Sequence, residues 1–329
     1  MKKIMNDPTH VVDEMLKGMV YCHSDLIKRI DGFEIIQRTA DKTGKVAIIS
    51  GGGSGHEPSH AGFVGKGMLS AAVCGPVFTS PTPDQILEAI KSADEGAGVF
   101  LVIKNYSGDV MNFEMAQEMA EMEDIQVASV IVDDDIAVED SLYTQGKRGV
   151  AGTVLVHKIL GNAAENGKSL TEIKELAEEL VPNIKTIGLA LTGATTPEGG
   201  RPSFTLNEEQ IEYGVGIHGE PGYRTEKLQP SKDLAIELGE KLLADFDSNS
   251  DDKYGLLING MGGTPLMELY VFANDVAELL SERGITVDFH KVGNYMTSIE
   301  MQGLSLTLIK LSDSNWLDAL NAPTETIAW

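Results

Sequence analysis

A glycine-rich segment that ends in a histidine is the first candidate for chemistry in this sequence. Residues 50–60 read SGGGSGHEPSH and follow an apolar stretch. Glycines let a backbone approach a small ligand and leave its N–H groups uncovered. The segment lacks the lysine of a nucleotide phosphate loop, and His56 stands where a dinucleotide-binding loop has its third glycine. We therefore expect a small-ligand loop rather than a nucleotide site.

Two interpretations of His56 remain open at this point. A helix is expected over 57–65, and its N-terminus would disfavour a protonated imidazole. His56 would then be neutral and ready to act as a base or as a hydrogen-bond partner. The alternative is a glycine turn whose histidine merely caps the helix.

A lysine and an aspartate follow the next apolar stretch, GVFLVI. Lys104 and Asp109 are separated by the residues NYSG. A buried lysine requires a partner, and Asp109 is the nearest carboxylate in the sequence. If both face a pocket, Lys104 could hold a ligand oxygen and Asp109 could accept a proton. Otherwise Asp109 caps the following helix and Lys104 is a surface cation.

A second histidine lies in another glycine-rich segment, GVGIHGEPGY, over residues 214–223. His218 has Gly216 and Gly219 close on either side, which leaves its imidazole accessible. A neutral imidazole nitrogen can add to a ketone as a nucleophile. The alternative is an ordinary histidine in a turn.

Two patterns could suggest a metal site, but neither has a full set of ligands. His56 and His60 have the i, i+4 spacing of a helical pair without an evident third ligand. The acidic run VDDDIAVED, residues 132–140, lacks the ligand spacing of a calcium loop. We expect no metal, and we interpret the acidic run as a solvated strand end or an anchor for the glycine-rich loops.

The elements that must position these residues alternate along the chain. Strand patterns lie at 45–50, 69–75, 98–106, 127–135, 186–191, 210–218, 254–263, 286–295 and 304–311, and helix patterns at 81–96, 109–123, 150–164, 169–181, 231–245 and 264–283. This alternation predicts an α/β fold with two domains, 1–183 and 184–329, each a largely parallel or mixed sheet flanked by helices. Ligands bind at the carboxyl ends of strands in such sheets, where His56, Lys104 and His218 are found. The polar run 245–253 predicts a solvated loop.

Composition limits the partners and the compartment. The chain has 329 residues and a formal net charge of −24, which argues against nucleic acid and anionic membranes as partners. Its two cysteines are far apart, as in a reduced cytosolic protein. The N-terminus lacks the apolar region of a signal peptide, and no apolar stretch is long enough to span a bilayer. We expect a cytoplasmic protein.

Six segments in order resemble the dihydroxyacetone kinase family in its substrate-binding subunit. They are NDPTHVVDEMLKG, ISGGGSGHEPSHAGFVGKGML, GPVFTSPTPDQI, IKNYSGDVMNFE, GVGIHGEPG and LINGMGGTPLMELY. The resemblance implies that His218 binds dihydroxyacetone covalently, as a hemiaminal on the ketone carbon. Gly53, Lys104 and Asp109 would hold the substrate oxygens. His56 and Asp109 would assist removal of the proton from the hydroxyl that attacks the phosphoryl group.

The resemblance also implies partners. Single-chain members that use ATP carry a further helical nucleotide domain, for which this chain has no room. The family's bacterial split system is therefore expected, in which this chain binds no cofactor and a separate helical subunit carries ADP and magnesium. A protein of the phosphoenolpyruvate phosphotransferase system would rephosphorylate that ADP, and this chain would form a homodimer. The alternative is a paralogue that senses dihydroxyacetone as a transcriptional co-activator without kinase activity.

Overall fold

The computed structural model describes residues 2–139, 141, 143–246 and 252–329. The solvated loop predicted at 245–253 falls largely on 247–251, outside these residues. In the described part of the chain, every helix is too short or too polar to cross a membrane.

The first six strands form one mixed sheet, in the order β1-β2-β4-β3-β5-β6. They are β1 (Ile27–Arg29), β2 (Ile35–Arg38), β3 (Ala47–Ser54), β4 (Ala71–Val77), β5 (Val99–Lys104) and β6 (Val127–Val132). Strands β4, β3, β5 and β6 are parallel to one another, whereas β1 and β2 are antiparallel additions next to β4. Both β3 and β5 are buried along their whole length, as central parallel strands covered on both faces are.

The last six strands form a second sheet, in the order β11-β10-β12-β7-β8-β9. They are β7 (Ile184–Ala190), β8 (Gln210–Tyr213), β9 (Arg224–Lys227), β10 (Lys253–Gly260), β11 (Thr286–Gly293) and β12 (Gly303–Lys310). Only the β10/β11 pair is parallel among these described strands. The second sheet is therefore mixed and mainly antiparallel.

Eight α-helices of the described chain connect and cover these strands. They are α1 (Val11–Cys22), α2 (Pro83–Ala93), α3 (Ser107–Glu121), α4 (Thr153–Glu165), α5 (Leu170–Leu180), α6 (Ser231–Asp245), α7 (Leu266–Glu282) and α8 (Ser314–Asn321). The predicted fold class, α/β with two mixed sheets flanked by helices, is confirmed.

Helix α4 is apolar on nearly every side and lies inside the molecule. Residues 153–161 are all buried, which is the expected place for a helix without a polar face. Its Leu155 belongs to one apolar cluster with Val102 of β5 and Leu257 of β10. The core is thus continuous between the two sheets. The division into domains at residue 183 stays a prediction, although β7 begins at Ile184.

The prediction of a helix over 57–65 is wrong. Only a short 3₁₀ turn, Ala61–Phe63, forms in this segment. Its backbone is held instead by tertiary contacts, including the donation of the Ala328 N–H to the Gly62 carbonyl. A Cβ on Gly62 would lie 2.7 Å from Pro58 Cβ, so the segment folds tightly upon itself. These contacts override the weak local preference for a helix.

Candidate active site

Five loops from the two sheets meet around His56, one of them the segment after β11 that contains Thr297. Three follow β3, β4 and β5, which are parallel neighbours, so that their carboxyl ends share one edge of the first sheet. The fourth follows β8 of the second sheet and brings His218 to the same place. The structure thus brings together the side chains of His56, Lys104, Asp109 and His218.

His56 is completely buried and is held at both ring nitrogens. Its Nδ1 lies 2.8 Å from the Thr297 carbonyl oxygen, and its Nε2 lies 3.1 Å from Nε2 of His218. The ring also stacks on Phe78, with centroids 5.1 Å apart. Burial, helped by the charges of His218 and Lys104, lowers the pKa of His56 well below its usual value. Burial, and not a helix N-terminus, is therefore what lowers the pKa of His56, and His56 does not cap a helix.

His218 reaches this site between two aromatic rings. Phe78 and Tyr106 both meet its imidazole edge to face, with centroids 5.2 and 4.5 Å away. Its side chain is 14 % exposed, whereas His56 is fully buried. His218 is consequently the imidazole of this pair that a small molecule can reach.

The hydrogen bonds of the two histidines define their protonation. A carbonyl oxygen can only accept, so His56 donates its Nδ1–H to Thr297 and its Nε2 carries the lone pair. Nδ1 of His218 lies 3.3 Å from a Glu220 carboxylate oxygen, which also accepts. Two nitrogen lone pairs would then face each other at 3.1 Å unless a proton lies between them. One proton shared between the two Nε2 atoms satisfies this geometry.

Lys104 and Asp109 form the second part of the site. Both side chains are buried, and Lys104 Nζ lies 3.6 Å from Asp109 Oδ2. This ammonium has no hydrogen-bond acceptor among the described residues, and it lies 5.2 Å from the centre of the Tyr106 ring. A buried ammonium needs oxygen partners, which a small hydroxylated molecule could supply.

The capping alternative for Asp109 is wrong, and so is the surface position for Lys104. Helix α3 begins at Ser107 with Tyr106 at its N-cap, and Asp109 lies inside the first turn. Its carboxylate accepts a hydrogen bond of 2.5 Å from Ser80 Oγ instead of capping the helix. Lys104 is fully buried. Both residues are thus held inside the site by side-chain contacts.

The glycine run of β3 is required by close packing. Gly52 has φ +149°, and a Cβ there would lie 3.0 Å from Lys104 Nζ. A Cβ on Gly53 would lie 2.5 Å from the main-chain nitrogen of Thr79. The loop after β4, which carries Ser80, can therefore rest directly on the backbone of β3. The role of Gly53 in holding a substrate stays a prediction.

Replacing Gly53 with alanine is expected to destabilise the protein by about 1–3 kcal/mol, because main-chain atoms of Phe78 and Thr79 must move. Denaturant unfolding measures this loss. Gly18→Ala is the matched control, since Gly18 lies in α1 with nothing within 4 Å of an added Cβ, and it should stabilise by about 0.5–1 kcal/mol. An unchanged free energy of unfolding for Gly53→Ala would contradict the described packing of the loop on β3.

Several residues of the site were missed from the sequence. They are Phe78, Ser80, Tyr106, Glu220 and Thr297. Ser80 could have been found, because it follows β4 at the same sheet edge as the glycine loop. Thr297 carries no signal, since only its main-chain oxygen is used.

The residues considered for a metal have other partners. His60 does not pair with His56; its Nδ1 lies 2.9 Å from Nε2 of His157, and both rings are buried. In the acidic run, Asp134 accepts hydrogen bonds from the main-chain N–H groups of Val150 and Gly152, so it anchors the start of α4. Residue 140 lies outside the described residues. Among the described residues, no group of three or more His, Cys, Asp or Glu could hold a metal ion.

Comparison with known proteins gives consistent similarities. The Dak1 domain family matches residues 17–328. The chain is 67% identical over 328 residues to the PTS-dependent dihydroxyacetone kinase, dihydroxyacetone-binding subunit DhaK, of Lactococcus lactis subsp. lactis (strain IL1403), covering 100% of this chain and 99% of that protein. It is 46% identical to the DhaKLM operon coactivator DhaQ of the same strain, over 99% of this chain and 100% of that protein. The crystal structure of the dihydroxyacetone kinase of C. freundii superposes with a TM-score of 0.92 at 36% identity, covering 100% of this chain and 60% of that one.

Proposed function

The chain belongs to the dihydroxyacetone kinase family, as a subunit of the phosphotransferase-system-dependent kind, and from that premise we propose that it presents dihydroxyacetone for phosphorylation as a covalent hemiaminal on His218. The observation that carries the proposal is the 3.1 Å contact between the Nε2 atoms of His218 and His56. This contact places His218, the nucleophile that a small molecule can reach, next to His56, the proton donor, in a site lined by aromatic rings.

The capture step uses the shared proton. The Nε2 lone pair of His218 forms the bond to the ketone carbon, and the carbonyl π pair moves to its oxygen. The proton between the two imidazoles passes from His56 to that oxygen and gives the hemiaminal hydroxyl. His56 is left neutral and the substituted imidazole of His218 is left as a cation. Glycerol has no carbonyl and cannot be captured in this way.

The phosphorylation step uses the buried pair Lys104 and Asp109. Lys104, with the main chain at Gly53, would hold substrate oxygens, since its Nζ has no other acceptor among the described residues. Asp109 would accept the proton of the terminal hydroxyl, assisted by His56 once that ring is neutral. Ser80 fixes the Asp109 carboxylate by donating to Oδ1. A covalently held ketone meets these groups in one orientation, which replaces a weak bimolecular encounter.

The phosphoryl group would come from the rephosphorylated nucleotide that a separate helical subunit holds with magnesium. Transfer would leave ADP on that subunit, and a protein of the phosphotransferase system would rephosphorylate it. This chain would bind no nucleotide and would act as a homodimer. The sensor alternative shares the capture chemistry, and the similarity to the coactivator extends over 100% of that protein. The 67% identity to a kinase subunit, together with the presence of both His56 and Asp109, favours the enzyme.

Turnover with and without the ADP-carrying helical subunit tests the proposal. With that subunit and its phosphoryl supply, dihydroxyacetone is expected to be consumed. Carbon-13 NMR of dihydroxyacetone labelled at its ketone carbon should show, on this chain alone, a tetrahedral carbon in place of the carbonyl. Capture without turnover under every donor condition would favour the sensor. Turnover driven by ATP on this chain alone would contradict the split system.

A further inference from the structure

Behind His218 lies a buried group of charged and ionisable side chains, which we call the support cluster. It consists of Glu220, Arg148, Asp135 and Tyr106, whose exposed fractions are 2, 0, 2 and 5 %. Asp135 and Arg148 both lie between β6 and α4, Asp135 within the acidic run, whereas Glu220 lies in the loop after β8. The cluster therefore connects the two sheets at the point where they form the site.

Arg148 holds the cluster together. Its Nε and Nη2 lie 2.8 and 2.6 Å from Asp135 Oδ2, and Nη2 also donates to the Gly214 carbonyl at 2.6 Å. Its Nη1 has no acceptor among the described residues. A Cβ on Gly216 would lie 2.8 Å from this Nη1 and 2.1 Å from Glu220 Oε2. The guanidinium thus faces the Glu220 carboxylate across Gly216, which has no room for a side chain.

Glu220 in turn holds His218 at two points. Its Oε2 accepts from the main-chain N–H of His218 at 2.8 Å, and its Oε1 lies 3.3 Å from Nδ1 of the same imidazole. Burial raises the pKa of Glu220, but the hydrogen bond from His218 and the charges of His218 and Arg148 outweigh it and bring the pKa to about 2. An ionised carboxylate can only accept, so Nδ1 must carry the hydrogen and Nε2 faces the site.

We propose that Glu220 and Arg148 are positioning residues for the capture step. Glu220 fixes His218 with Nδ1 protonated and balances the charge that the ring gains on bonding to the ketone carbon, and the nearby positive charge of Arg148 stabilises the Glu220 carboxylate. This inference rests on the proposed covalent capture. It assigns a function to buried charges whose desolvation is otherwise unfavourable.

The charges of the support cluster and the imidazole pair balance only when the imidazole pair is positive. Arg148 contributes one positive charge, and Asp135 and Glu220 contribute one negative charge each. The fourth charge is the positive charge of the proton shared by His218 and His56. After capture, the substituted imidazole of His218 carries this charge instead. Tyr106 also faces Glu220, and its burial raises its pKa well above the usual value, so it stays neutral. The cluster therefore favours the positive charge on His218, where the hemiaminal places it, over the same charge on His56.

The first test reads the protonation of His218 in the free protein and needs no ketone. Nitrogen-15 NMR of the imidazole is expected to show Nδ1 protonated in the wild type. In Glu220→Gln, which keeps the size and removes the charge, the amide can donate to Nδ1, so that Nδ1 should lose its proton. Unchanged Nδ1 protonation in folded Glu220→Gln would overturn the role of Glu220. Glu220→Asp retains the charge and should retain the wild-type spectrum if it also folds.

The second test is a double-mutant cycle on the affinity for dihydroxyacetone. Glu220→Gln and Arg148→Met should each lower the affinity for dihydroxyacetone at least tenfold. The double variant should bind no more weakly than whichever single variant binds more weakly, because Arg148 acts through Glu220. In Arg148→Met, the pKa of Glu220 rises. As the pH is lowered, this variant should therefore lose capture at a higher pH than the wild type does. Costs that add in the double variant would overturn the proposal for Arg148.

Arg38→Met is the matched control. Arg38 forms another buried ion pair, 2.8 Å from Glu165, on the β2 side of the first sheet. Its loss should lower the free energy of unfolding but leave ketone affinity and the His218 spectrum unchanged. If Arg38→Met weakened capture as much as Arg148→Met does, the support cluster would stabilise the fold without acting on the capture step. If the wild type captures no ketone, the proposed function fails, while the nitrogen-15 measurement still decides whether Glu220 fixes His218.

Discussion

Asp109→Asn is expected to lower turnover by about 10²- to 10⁴-fold, the range that general-base catalysis contributes, while dihydroxyacetone is still captured on His218. Asparagine keeps the size of the side chain and can still accept from Ser80 Oγ, but it cannot take a proton from the substrate hydroxyl. The capture step does not use Asp109, because its proton lies between His56 and His218. Turnover and capture should therefore separate in this variant.

Two measurements on the same preparation check this separation. Turnover with the ADP-carrying subunit reports the base, and carbon-13 NMR of the labelled ketone reports capture. Glu114→Gln removes a carboxylate from the exposed face of the same helix and should leave both unchanged. Wild-type turnover in Asp109→Asn would show that another group takes the proton. Loss of capture as well would show that Asp109 acts by holding Lys104 in place.

The convergence of His56, Lys104 and Asp109 could be predicted because it follows from strand direction. Strands β3 and β5 are apolar, β-branched and parallel, so the residues after them leave the same sheet edge. The pattern of the sequence contains this information locally. The rest of the site depends on how the second sheet packs against the first, which no local pattern encodes.

His56 illustrates what could not be predicted. Its carbonyl partner Thr297 is 241 residues away, and its imidazole partner His218 is 162 residues away. The sequence points to a helix N-terminus that would disfavour protonation, but that helix does not form, and burial is what lowers the pKa of His56. Desolvation depends on the whole surrounding packing and is invisible in the eleven residues around the histidine.

Arg148 and Glu220 were missed for a related reason. Charged residues are mostly exposed, so a single arginine or glutamate in a loop indicates a solvated side chain. Both are buried here because each finds its partners at long range, in Asp135, the Gly214 carbonyl and His218. Only the glycines beside them carried a signal, since Gly216 leaves room for the two charged groups to face each other.

His218→Ala is expected to abolish capture and to reduce turnover by at least about 10³-fold, because covalent attachment turns the encounter of ketone and donor into an oriented, effectively unimolecular step. The neighbouring groups cannot replace it. His56 is fully buried, and its Nε2 faces His218 and not the opening of the site. Lys104 could form an imine only by losing its proton and the ion pair with Asp109.

The labelled ketone distinguishes these outcomes directly. In His218→Ala the carbonyl resonance should persist at every dihydroxyacetone concentration, and residual turnover should rise linearly with concentration, as expected for weak non-covalent binding. His290→Ala, which alters a histidine on the exposed edge strand β11, should behave as the wild type does. A tetrahedral carbon that survives in His218→Ala would assign the bond to another residue. Equal turnover of glycerol by the wild type would show that capture of a carbonyl is not what selects the substrate.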